Sequence, residues 1–192
     1  MTPPVVKTPL MGRGPHTGRV RSLVVHSMAE YVVNKDAKVG PVGRISAHAW
    51  LGAVGLSAHA LVRPDGTVCD CIPLTERAWH ARGFNDRTVG VELLVAGDHD
   101  YLSLARACGW DTDAWAPIPE LDREPAPYTG EQYESLAWWI EAAAAELGLG
   151  WPAVTSHDRI DPSRKFDPGT TFDWPQLAAG FQALRLEREP IP

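Results

Sequence analysis

Two apolar, β-branched runs set the frame of this chain, and each holds one titratable residue. Val20-Arg21-Ser22-Leu23-Val24-Val25-His26-Ser27 reads as a buried strand ending in a histidine. Thr88-Val89-Gly90-Val91-Glu92-Leu93-Leu94-Val95 reads as a second strand with Glu92 in its middle. A carboxylate in such a run is costly unless it is paired or used. Partial burial would raise its pKa and make it a better proton acceptor near neutral pH. The alternative puts Glu92 on the outer face of an edge strand, but Leu94, on the same side of the pleat, argues against that. His26 also has two readings. A lone histidine after an apolar run is more often a satisfied structural residue, but a place at a strand's carboxyl end favours function.

A third run, Ala153-Val154-Thr155, leads into Ser156–Gly169, a loop punctuated by Pro and Gly that carries His157, Lys165 and Asp167. Loops leaving a strand end with this density of titratable groups are where α/β folds place chemistry. His157 and Asp167 are ten residues apart, too far for one helix face but within reach if the loop doubles back. Lys165 lies two positions before Asp167, so in extended chain the two side chains point the same way. Two histidines and a carboxylate with one open position suit a catalytic zinc site. Beside it, Glu92 is the carboxylate able to take a proton, and Lys165 is the cation able to support an oxyanion. The same donor types would also serve a non-haem iron oxygenase, which nothing else in the chain resembles.

The remaining segments bound the fold. A length of 192 residues predicts a single domain over 1–192, with an irregular arm over 1–19 and an insertion over 97–127 that could wall a groove. A net charge of −6 argues against nucleic acid as a partner. No apolar run reaches membrane-spanning length, so no membrane insertion is expected. The first residues lack the apolar core of a signal peptide, which predicts a cytoplasmic protein as synthesised, and a monomer is expected. Cys69 and Cys71 read as small buried thiols rather than a metal pair, and Cys108 stands alone. Residues 28–45 suggest a short helix and a loop, and 46–56, with His48, allow no assignment. Residues 57–72 predict a hairpin turning at Pro64-Asp65-Gly66. Trp79, in the loop 77–83, is either a half-buried core residue or a platform for a sugar or peptide. A helix is predicted over Thr129–Leu147, with Thr129 and Gln132 as a capping box, and another from Trp174 to Leu186 behind the cap Asp173.

Several motifs together carry a resemblance: Leu23-Val24-Val25-His26, Ser57-Ala58-His59 through Gly66, Arg77-Ala78-Trp79-His80-Ala81, Asn85 with Val89-Gly90-Val91-Glu92-Leu93, Tyr128-Thr129-Gly130-Glu131-Gln132-Tyr133, and His157 through Arg164-Lys165-Phe166-Asp167-Pro168-Gly169. The chain resembles the zinc N-acetylmuramoyl-L-alanine amidases of the type-2 amidase superfamily, which also contains phage endolysins and peptidoglycan recognition proteins. The similarity is greatest to the cytosolic branch that cleaves anhydro-muropeptides. It implies an α/β fold with a central mixed, mainly parallel sheet of five or six strands flanked by helices. It implies His26, His157 and Asp167 as zinc ligands, Glu92 as base and Lys165 as oxyanion support, with Trp79, His80 and Asn85 as candidate substrate contacts. Ala58 stands where many relatives have tyrosine, and Asp167 where some phage members have cysteine; both departures favour Glu92 as the base. The expected activity is hydrolysis of the amide between N-acetylmuramic acid and L-alanine in peptidoglycan, by a phage-type endolysin. The alternatives are a cytosolic recycling amidase acting on soluble anhydro-muropeptides and a non-catalytic peptidoglycan-binding module.

Overall fold

The structure is a computed structural model that describes residues 2–34, 37–38, 42–98 and 128–188. Its strands are β1 (Val5–Lys7), β2 (Ser22–Asn34), β3 (Gly43–Ser46), β4 (Ala60–Val62), β5 (Val68–Asp70), β6 (Thr88–Asp98) and β7 (Val154–Ser156). The helices are α1 (Ala47–Val54), α2 (Gly130–Leu147), the single turn α3 (His157–Ile160) and α4 (Trp174–Arg188). Among the described residues, seven strands form one sheet in the order β1-β5-β4-β6-β2-β3, with β7 also paired to β2. Four pairings are parallel (β1 with β5, β4 with β6, and β2 with β6 and with β7) and two are antiparallel, β2 with β3 and β4 with β5. The expected mixed, mainly parallel α/β sheet flanked by helices is the architecture found, but with seven strands among the described residues rather than five or six, because the N-terminal arm adds β1 and residues 43–46 add β3.

Local signals explain most elements. The turn at 64–66 joins β4 to β5, with Gly66 at φ 80°, where a side chain would be strained. Thr129 caps α2 in a complete capping box with Gln132, and Gly148 ends the helix in the left-handed region. The Asp173 carboxylate accepts from the Gln176 backbone N–H at 2.9 Å and caps α4. Three segments depart from expectation. β2 does not stop at Ser27 but runs to Asn34, because β6 pairs along one side of it and β3 pairs with Tyr31–Asn34 on the other. That pairing overrides the helical tendency of Met28-Ala29-Glu30. Residues 47–54 form α1, whose cap Ser46 accepts from the Ala49 N–H at 3.2 Å. The N-terminal arm is not wholly irregular: β1 lies parallel beside β5. His48 Nε2 lies 3.1 Å and 3.2 Å from the carbonyls of Thr8 and Pro9, tying the arm to α1.

The sheet separates two apolar clusters. On one face Leu23, Val25, Val62, Val91 and Leu93 pack against Leu136 and Ile140 of α2 and Leu177 and Phe181 of α4. On the other, Leu61, Cys69 and Leu94 pack beneath Ala47 and Leu51 of α1. No helix among the described residues is long and apolar enough to cross a membrane. The insertion expected over 97–127 falls outside the described residues from 99 onward, as does Cys108.

Gln132 joins the helical layer to the sheet. Its Nε2 donates to the carbonyls of Val62 at 3.1 Å and Leu94 at 2.9 Å, and its Oε1 accepts from the Thr129 N–H at 3.1 Å. Replacing it with an apolar side chain orphans buried backbone groups, at about 1–3 kcal/mol each. Gln132→Leu should therefore lower the unfolding free energy by about 2–4 kcal/mol in urea denaturation, against about 1 kcal/mol for loss of an ordinary helix cap.

Candidate metal centre

The site is built where the sheet changes partners. On one side β2 pairs with β6 from Ser22 to Tyr31. On its other side β7 accompanies only Leu23–Val25, and β3 begins pairing at Tyr31. His26 falls in the interval, one residue beyond the last β7 pair, Val25 with Ser156. His157 follows Ser156 directly as the first residue of α3, so the end of β7 delivers it beside His26. The loop then returns: the Asp158 N–H donates to the Asp167 carbonyl at 3.0 Å, and the Tyr128 hydroxyl donates to the Pro168 carbonyl at 2.6 Å. Inside the loop the Arg164 and Lys165 N–H groups donate to the Asp161 carbonyl, and the Arg164 guanidinium pairs with the Asp161 carboxylate.

Three donor atoms meet as a result. His26 Nδ1 lies 2.9 Å from His157 Nδ1 and 3.2 Å from Asp167 Oδ2, and His157 Nδ1 lies 3.0 Å from the same Oδ2. All three residues are buried. Ligand atoms around a tetrahedral zinc ion lie about 3.3 Å apart, so the triangle has nearly the dimensions that ion requires. The donor types fit as well, with two imidazole nitrogens and one carboxylate oxygen. Among the described residues this is the one His/Cys/Asp/Glu group close enough to hold a metal. Cys69 and Cys71 are buried free thiols outside it, and burial pushes the Cys71 thiol up to about 12.

The surrounding charges follow from burial. Burial works against the Asp167 carboxylate, yet the His157 and His26 imidazoles against it outweigh this and hold its carboxyl below the usual range. Burial also lowers the pKa of His26; the hydrogen bond and charge of Asp167 oppose this, while His157 and Lys165 add to it. Glu92 pairs in register with His26 across β2 and β6, so the two side chains leave the same face of the sheet. Its Oε2 is buried without a hydrogen-bond partner among the described residues. Desolvation, reinforced by the Asp167 charge and opposed by Lys165, pushes Glu92 up to about 8.

The other residues singled out in the sequence lie around this centre. His80 sits behind His26, its Nδ1 2.8 Å from His26 Nε2. Asn85 Oδ1 accepts from the N–H groups of His80 at 3.1 Å and Ala81 at 2.8 Å, which fixes the loop carrying His80. Trp79 is 47% exposed, with the Arg13 guanidinium 4.9 Å from its ring centroid. Phe166, beside Asp167 in the chain, is 49% exposed. Thr88 and Gly90, which sequence alone marks only as strand residues, complete the support of His80. The signal available was the glycine itself, since a glycine inside a strand marks close approach of another group.

The chain has recognisable relatives among known proteins. A profile of the family described as N-acetylmuramoyl-L-alanine amidase matches residues 16–170. The chain is 34% identical over 136 residues to the 1,6-anhydro-N-acetylmuramyl-L-alanine amidase AmpD of Salmonella typhimurium, over 65% of this chain and 56% of that protein. The match therefore spans little more than half the length of that relative. Among solved structures, a crystal structure of a Se-Met AmpD derivative superposes with a TM-score of 0.60 at 26% identity, covering 92% of this chain and 93% of the other. The endolysin N-acetylmuramoyl-L-alanine amidase LysCS from Clostridium intestinale superposes with a TM-score of 0.59 at 14% identity, covering 95% and 97%, a likeness of fold alone.

The Glu92 environment predicts a pH dependence. An acid whose folded-state pKa lies above its unfolded value of about 4.5 destabilises the fold as it ionises; here the cost is absent below that value and complete above about 8. In metal-free protein, the melting temperature of Glu92→Gln relative to the parent should rise as the pH goes from about 5 to about 9. A difference that stays flat across this range would show that the carboxylate is not held in an uncompensated buried site.

Proposed function

The chain belongs to the N-acetylmuramoyl-L-alanine amidase family, and on that premise we propose that it hydrolyses the amide between N-acetylmuramic acid and L-alanine in soluble anhydro-muropeptides. The observation that carries this reading is the approach of His26 Nδ1, His157 Nδ1 and Asp167 Oδ2 to within 3.2 Å of one another beside Glu92, whose Oε2 is buried. His26, His157 and Asp167 would hold the ion. A zinc ion held by these donors supplies Lewis acidity, polarising a carbonyl oxygen and bringing the pKa of a water into the neutral range. Glu92, with its carboxyl raised to about 8, is suited to exchange a proton at neutral pH. It takes one from the attacking water and passes it to the leaving nitrogen of L-alanine. Lys165, whose charge acts on Glu92 and His26, offers its ammonium to the oxygen that becomes negative in the tetrahedral intermediate.

The choice of substrate departs from the endolysin expected from sequence. The relative at 34% identity is a 1,6-anhydro-N-acetylmuramyl-L-alanine amidase, whereas the endolysin likeness rests on 14% identity and speaks for fold alone. The net charge of −6 points the same way, since it gives no attraction to anionic wall polymers. The proposed enzyme acts in the cytoplasm, as a monomer, on soluble fragments.

Turnover of purified anhydro-muropeptide should be abolished by a chelator and restored by zinc, and should exceed turnover of intact sacculi. Faster release from sacculi would support the endolysin instead. Glu92→Gln should lower kcat by about 100- to 10,000-fold while leaving zinc bound. Lys165→Ala should lower it by about 100- to 1,000-fold. Activity indifferent to chelation or to the loss of Glu92 would reject the mechanism.

A further inference from the structure

We propose that His80, oriented by Thr88, is a positioning residue that keeps the ring proton of His26 on Nε2 and thereby presents Nδ1 as a lone pair to the metal. The inference rests on the reading of His26 as a ligand and adds the reason for its tautomer. The direction of every bond in the chain can be worked out from its far end. The Phe84 carbonyl can only accept, so the Thr88 hydroxyl, 2.9 Å away, donates to it. That leaves Thr88 Oγ1 as an acceptor, 3.2 Å from His80 Nε2. The Thr88 carbonyl, 3.4 Å from the same nitrogen, can also only accept. On both counts His80 carries its proton on Nε2, so its Nδ1 is a lone pair. That lone pair lies 2.8 Å from His26 Nε2, which must then be the donor. A neutral His26 with its proton on Nε2 has Nδ1 free, and Nδ1 is the atom aimed at His157 and Asp167. Metal-ligating histidines generally need such a partner on the other nitrogen, and its loss typically costs 10- to 100-fold in metal affinity.

The backbone is arranged to admit His80. A Cβ on Gly90 would lie 2.3 Å from His80 Nδ1, so this position in β6 must be bare for the ring to reach His26. The N–H of Gly90 is taken by His59 Nδ1 at 3.0 Å, while His59 Nε2 donates to the Glu76 carbonyl at 2.9 Å. His59 is thus satisfied on both nitrogens and stands edge-on to His80, with ring centroids 5.8 Å apart. The other candidate ligand differs: His157 Nε2 is buried with no partner among the described residues. Control of the ring proton through a side-chain relay is accordingly a property of His26.

The test is the zinc affinity of the full chain, measured by competition with a chromophoric chelator, with melting of the metal-free protein as the readout of folding. His80→Leu, which removes the acceptor, should weaken zinc binding about 10- to 100-fold. His80→Asn places an amide oxygen near the position of Nδ1 and should recover most of the affinity. Thr88→Val keeps the shape of the side chain but removes the acceptor that orients His80, and should fall between the two. If His80→Leu does not fold, Thr88→Val and Gly90→Ala carry the test, and both should bind zinc more weakly than the parent. Parent-like affinity in folded His80→Leu or Thr88→Val, or an Asn variant as weak as Leu, would overturn the inference. His26→Ala separates the two levels of the argument. Unchanged affinity there removes the metal-centre reading and the relay with it, whereas affinity lost in His26→Ala but kept in His80→Leu overturns the relay alone.

Discussion

The arrangement of the site depends on the change of partners along one edge of β2. If β7 were a residue longer in its pairing, or if β3 began earlier, His26 would be flanked by a strand and its ring would meet packed side chains. Instead β7 ends at Ser156, and the chain turns at once into α3 with His157 leading. The loop can bring Asp167 to the same point because its own backbone closes it, through Asp158 N–H and the Asp167 carbonyl. α2 contributes from the opposite face: the residues leading into it supply Tyr128, which holds Pro168, and Tyr133 accepts from the Asp173 N–H. Helical packing below the sheet and donor geometry above it are therefore one mechanical problem.

Burial acts on the two carboxyl groups of this region with opposite results. Both lose hydration, which disfavours the charged form. Asp167 recovers the cost through the two imidazoles against it, which hold its carboxyl below the usual range. Glu92 faces the negative charge of Asp167, has no partner for Oε2 among the described residues, and is driven up to about 8. One fold thus holds two carboxyl groups whose pKa values are pushed in opposite directions, and such a separation is what allows one to serve as an anion and the other to exchange a proton.

Much of the fold was legible in sequence because local signals agreed with the tertiary result. The runs 20–27 and 88–95, the turn at 64–66 and the capping box of α2 each need only a few neighbours to be read. β1, the extension of β2 to Asn34, and β3 were not legible, because their extended conformation comes from partners distant in the chain. In the site, the residue types could be chosen from strand ends and loop density, but not the atoms. That Nδ1 of both histidines is the converging nitrogen depends on ring rotation, which no spacing encodes. In sequence His80 is a polar residue in an aromatic loop and a candidate substrate contact. Its hydrogen bond to His26, and its seat on the bare Cα of Gly90, are visible only once β6 is laid beside β2.

A zinc ion held as proposed would lie at one point, the centre of the triangle formed by His26 Nδ1, His157 Nδ1 and Asp167 Oδ2. X-ray diffraction recorded on either side of the zinc absorption edge, from crystals grown with one equivalent of zinc, tests it most directly. The expected result is a single strong anomalous peak at bonding distance from all three atoms, with a fourth position not taken by protein. A peak held by other residues, or these three side chains ordered with no anomalous density between them, would contradict it.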